Sequence, residues 1–106
     1  MPDMLTELQA IIHERQQTPK PGSYTNSLFD AGISRIAQKV GEEATEVVVA
    51  ALSQGRETQI AELSDLFYHT LVLMAAKDIT LDDVYAELER RHSARGDSAR
   101  KENPLG

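Results

Sequence analysis

The sequence predicts an all-α fold, a bundle of about four to five helices completed by dimerisation. Trp is absent and aromatic residues are scarce. β-branched residues cluster only at Val47, Val48 and Val49, inside Ala-, Glu- and Leu-rich sequence. Most other apolar residues recur at helical spacing. The 106 residues are the usual size of one domain. We place that domain at 1–94 and expect a polar, mobile tail at 95–106.

The first helix is expected from about Asp3, as its N-cap, to about Gln17. Met4, Leu5, Leu8, Ile11 and Ile12 form its apolar stripe. Pro19, Pro21 and Gly22 break the chain. Ser23 to Phe29 reads as a capped short helix that ends at Gly32. A long helix follows from about Ser34 to Gln54, stopped by Gly55. Its expected core stripe is Ile33, Ile36, Val40, Ala44, Val47, Val48 and Ala51. Gly41 within it lowers helix propensity by about 1 kcal/mol relative to Ala. Close approach of a backbone or a ligand would explain it, as would simple tolerance.

The next helix spans roughly Glu57 to Ala76, with Ile60, Leu63, Phe67, Leu71 and Met74 as its main stripe. Leu66, Val72 and Leu73 lie off that stripe, so the helix is apolar nearly all round. Such a helix is buried on more than one side. In a chain this short, a partner subunit is the expected cover. Thr80 caps the last helix, with Asp82 and Asp83 in its first turn, and the helix runs through Val84, Tyr85 and Leu88 to about His92.

Composition excludes several classes. With no Cys there is neither a disulfide nor a thiolate zinc site. The net charge of −6 argues against a nucleic-acid partner. It leaves a phosphate substrate open, because a bound cation reverses the local sign. The apolar runs are far shorter than the roughly 20 residues that cross a bilayer. No signal-peptide succession opens the chain. The expected setting is cytoplasmic.

The chemistry is expected from two acidic pairs, Glu43-x-x-Glu46 and Glu62-x-x-Asp65. At about 100° per residue, the members of each pair share one side of their helix. His69 falls between Glu62 and Asp65 in angle. Antiparallel packing about Gly55 would let the pairs face each other. Four hard oxygen ligands suit Mg²⁺, or Mn²⁺ as a substitute, better than Zn²⁺. The plainer alternative is a solvated acidic face. Glu42 points further round, toward solvent or a second ring of contacts. Lys39 and Arg35 are either ordinary i,i+4 partners of the acids or cations for phosphate oxygens. Tyr24 and His69 are either capping and packing residues or ligand contacts.

The run Arg35-Ile-Ala-Gln-Lys39-Val-Gly41-Glu42-Glu43-Ala-Thr-Glu46 resembles the signature of phosphoribosyl-ATP pyrophosphohydrolase. Glu62-Leu-Ser-Asp65-Leu-Phe-Tyr68-His69 resembles its second block, and Ser23-Tyr24-Thr25 its upstream block. The likeness covers roughly Leu5 to His92. The acid pattern alone is shared by the wider MazG-type all-α nucleoside triphosphate pyrophosphohydrolases. The resemblance implies an all-α, Mg²⁺-dependent homodimer, and without the cyclohydrolase domain that some relatives carry, a stand-alone enzyme is expected. Its reaction would convert phosphoribosyl-ATP to phosphoribosyl-AMP and pyrophosphate, the second step of histidine biosynthesis.

Carried over by motif position, Glu43, Glu46, Glu62 and Asp65 are the metal ligands. Glu42 or Glu46 would be the general base. Lys39, Arg35, Tyr24 and His69 would bind substrate. Two rival readings remain at this stage. One is a house-cleaning pyrophosphohydrolase acting on non-standard nucleotides. The other is a helical interaction module whose acids only keep it soluble.

Overall fold

The computed structural model describes residues 3–95. Five helices carry them: α1 (Met4–Gln17), α2 (Tyr24–Ala31), α3 (Ile33–Ser53), α4 (Arg56–Ala76) and α5 (Leu81–Arg95). No strand occurs among the described residues. The expected tail, apart from Arg95 at the end of α5, lies outside them. No described helix is long and apolar enough to cross a membrane.

Local chemistry sets each boundary. Asp3 caps α1, accepting from the Leu5 amide and the Thr6 hydroxyl. Ser23 caps α2 by accepting from the Asn26 amide. Gly32, at φ +97°, lets α2 give way to α3 without an intervening loop. At the start of α5, Thr80 and Asp83 form a reciprocal capping box. The end of α4 closes with the Asp78 amide on the Ala75 carbonyl and the Ile79 amide on the Met74 carbonyl. That is a Schellman arrangement with Asp78, at φ +58°, where glycine usually stands.

α3 and α4 pack together as an antiparallel hairpin, the most extensive helix pairing in the molecule. α1 and α2 cover one end of that hairpin. The core there is Ile12, Leu28, Ile36, Leu71, Val72, Ala75 and Leu81. A buried asparagine stitches the loop between α1 and α2. Asn26 donates to the Arg15 carbonyl and accepts from the Lys20 amide, both at 2.8 Å.

The buried stripe of α4 differs from the expected one. Leu71 of that stripe is buried, but Ile60, Leu63 and Phe67 are exposed. Val72, expected off the stripe, is fully buried with His69 and Ala75. On α3, Ile36 is buried while Ile33, Val48 and Ala51 are exposed. The physical reason is coverage. α1 and α2 reach only the end of the hairpin that holds Ile36 and Val72. The other end, near Gly55, presents Val48, Val49, Leu52, Ile60 and Leu63 to solvent in the single chain. Gly41 is exposed, and a methyl group there would meet nothing. No backbone approaches it.

Candidate functional site

The hairpin register places the middle of α3 against the N-terminal half of α4. Glu43, Glu62 and Asp65 each offer a carboxylate oxygen, all within 4.8 Å of one another. Glu43 is buried. Its Oε2 lies 3.3 Å from Lys39 Nζ, while its Oε1 is buried without a hydrogen-bond partner. Glu62 Oε1 is orphaned in the same way. Leaving a buried acceptor unpaired costs about 1–3 kcal/mol, and more when it is charged.

Crowding shows in the acid chemistry. The Glu62 carboxyl is pushed above its usual range, first by desolvation, then by Glu46, with smaller contributions from Asp65 and Glu43. Burial and like charge both oppose ionisation there. A hard divalent cation would relieve both and would satisfy the orphaned oxygens. The donor set is wholly carboxylate, which suits such a cation. The residues therefore fit a metal of that class.

The expected four acids do not all converge. Glu46 is exposed and stands beside Glu62, outside the group of three. Glu42 faces cations of its own helix, at 3.6 Å from Lys39 and 3.7 Å from Arg35. Lys39 thus bridges Glu42 and Glu43. Its ammonium is held above its ordinary range, chiefly by the hydrogen bond to Glu43. Arg35 remains half exposed.

Tyr24 and His69 meet directly, with the Tyr24 hydroxyl 2.9 Å from His69 Nε2. His69 Nδ1 lies 2.8 Å from the Asp65 carbonyl, one turn earlier on α4. Sequence reasoning assigned no role to the neighbouring pair, Thr25 and Tyr68, whose hydroxyls are also hydrogen-bonded. The only hint was adjacency to Tyr24 and His69. Two consecutive residues of α2 are thus clamped to two consecutive residues of α4. Tyr24, Tyr68 and His69 form an aromatic group with centroids 5.0–6.1 Å apart. On its other side Tyr24 lines an open hollow of about 630 Å³, with Lys20, Gly22, Asn26 and Asp30.

The chain is similar to known proteins over most of its length. The family model for phosphoribosyl-ATP pyrophosphohydrolase matches residues 5–92. A phosphoribosyl-ATP pyrophosphatase of Metallosphaera sedula is 54% identical over 91 residues, covering 86% of this chain and 98% of that one. One from Sulfurisphaera tokodaii is 53% identical over 89 residues, covering 84% and 95%. A histidine biosynthesis bifunctional protein of Caldanaerobacter subterraneus is 50% identical over 90 residues. The chain spans 44% of that longer relative.

Proposed function

The chain belongs to the phosphoribosyl-ATP pyrophosphohydrolase family, and from that premise we propose that it hydrolyses phosphoribosyl-ATP to phosphoribosyl-AMP and pyrophosphate, in histidine biosynthesis. One observation carries the reading within the site. Three carboxylates from α3 and α4 converge, and two of them hold buried oxygens with no partner. That is a poor way to solvate an acidic surface and a good way to hold a cation.

Water must attack the α-phosphorus and expel pyrophosphate. The attacked centre and the leaving group are both anionic, so the obstacle is charge. Glu43, Glu62 and Asp65 would hold Mg²⁺, with Mn²⁺ as a substitute. Such a cation supplies Lewis-acid stabilisation of phosphate charge. Glu46, exposed beside the three, would take the proton of the attacking water. Glu42 suits that role less well, since Lys39 and Arg35 already engage it. Lys39 reaches the trio and would offset charge on the leaving pyrophosphate, with Arg35 further out. Little covalent chemistry is required of the protein, only positioning and electrostatics.

Two identical chains would pair through the uncovered end of the hairpin, where Val48, Val49, Leu52, Ile60 and Leu63 stand exposed. The proposed reaction is cytoplasmic metabolism. The deciding experiment is pyrophosphate release from phosphoribosyl-ATP, with and without magnesium, against dUTP and dCTP. Magnesium-dependent release from phosphoribosyl-ATP alone is expected. No release from it, or faster turnover of the free nucleotides, would reject the assignment.

A further inference from the structure

Both ring nitrogens of His69 are engaged, and for the neutral ring their partners fix the polarity of the chain. Nδ1 faces the Asp65 carbonyl, which can only accept, so Nδ1 carries a hydrogen. In the neutral imidazole Nε2 is then a bare acceptor. The Tyr24 hydroxyl must donate to it. With its single hydrogen committed, the Tyr24 oxygen can only accept from anything else that approaches.

The arrangement is held on both sides. His69 is 5% exposed and packed in α4, whereas the Tyr24 residue is 52% exposed. The Thr25–Tyr68 bond keeps the first turn of α2 from swinging away. Tyr24, half exposed as a residue, thus carries an oxygen of fixed polarity. Tyr24 is linked through His69 to the backbone of Asp65, a member of the acidic trio, and also lines the hollow with Lys20.

We propose that Tyr24 is a specificity-determining residue that accepts a hydrogen bond from a sugar hydroxyl or base N–H of the nucleotide, and that His69 positions it. A phosphate oxygen, itself an acceptor, is unwelcome at that point. Tyr24 therefore marks where the phosphate chain ends and the nucleoside begins. The assignment rests on the pyrophosphohydrolase reading and adds to it which substrate group Tyr24 meets.

The test compares wild type, Tyr24→Phe, His69→Asn and the double variant by calorimetry in magnesium. The ligands are phosphoribosyl-AMP and inorganic pyrophosphate. Tyr24→Phe removes one oxygen at a half-exposed ring, so folding is preserved. Its affinity for phosphoribosyl-AMP should fall about tenfold, the scale of one hydrogen bond. Its affinity for pyrophosphate should stay unchanged, and turnover should lose KM rather than kcat. Equal weakening of both ligands, or of neither, overturns the assignment. In the Phe background His69→Asn should cost no further nucleotide affinity; an added loss overturns the positioning role. The form of the nucleotide that lacks the 2′- and 3′-hydroxyls of both its riboses identifies the donor. If the Tyr24→Phe penalty vanishes with it, the donor is a sugar hydroxyl; if the penalty persists, it is a base N–H. A wild type that binds phosphoribosyl-AMP but releases no pyrophosphate from phosphoribosyl-ATP sinks the functional reading alone. One that does not bind phosphoribosyl-AMP sinks both.

Discussion

Lys39 Nζ lies 3.3 Å from Glu43 Oε2, an i,i+4 pair on α3 with both side chains largely covered. The same ammonium is 3.6 Å from Glu42. An isolated surface pair of this spacing contributes only a few tenths of a kcal/mol. This one borders the acidic trio, so its cation has a second use when phosphates arrive. Lys39→Ala is expected to raise KM about tenfold, the scale of one charge-assisted hydrogen bond. Unchanged KM and kcat would reduce the pair to surface decoration.

Glu43→Gln and Asp65→Asn keep side-chain size and remove charge. Each is expected to lower turnover by roughly a thousandfold, equivalent to several kcal/mol of lost electrostatic stabilisation. The helical circular dichroism signal should stay near wild type, because neither acid is needed for helix formation. Full activity in either variant would take that residue out of the site.

Magnesium should raise the melting temperature, and more so at pH 8 than at pH 5. The sign comes from Glu62, whose carboxyl is raised above 4.5 by desolvation and by neighbouring acids. A raised acid destabilises the folded chain as pH climbs from its unfolded value through its folded one. A bound cation offsets that loss. At low pH the cation must first displace a proton. Glu62→Gln should blunt the magnesium shift. Equal shifts at the two pH values would contradict this account.

Glu87 on α5 behaves in the opposite sense. Hydrogen bonds from Arg90 and Arg91 hold its carboxyl down to about 2. A depressed acid stabilises the fold above its unfolded pKa and loses that contribution as pH falls from about 4.5 to about 2. Glu87 is exposed to solvent screening, so the effect should be small and salt-sensitive. Acid titration of Glu87→Gln, followed by melting temperature, should show a shallower decline in that window than wild type.

Ile60 stands half exposed near the uncovered end of the α3–α4 hairpin, and Leu52 is more exposed still. If a second copy covers this surface, Ile60→Glu should shift the sedimentation coefficient from dimer to monomer. Helical content should be retained. A wild type that sediments as a monomer at micromolar concentration would dismiss the proposed pairing.

Helix order, caps and stops are local properties, and they were legible in the chain. Asp3, Ser23, Gly32 and Thr80 each act within a few residues of themselves, and all four stand where the sequence places them. The pairing of Glu43 with Glu62 and Asp65 was legible only as a possibility, conditional on an antiparallel hairpin. The stripe of α4 lies exposed at Ile60, Leu63 and Phe67 in the single chain, because periodicity reports that a face is apolar, not what covers it.

Tertiary structure alone decided the rest. It set Glu46 at the edge of the acidic trio and joined Tyr24 to His69 across 45 residues. The physical reason is range. Backbone capping and helical period are dictated by neighbours along the chain. Which carboxylate oxygens end up buried without a partner depends on the register of two helices that the one-dimensional pattern leaves free.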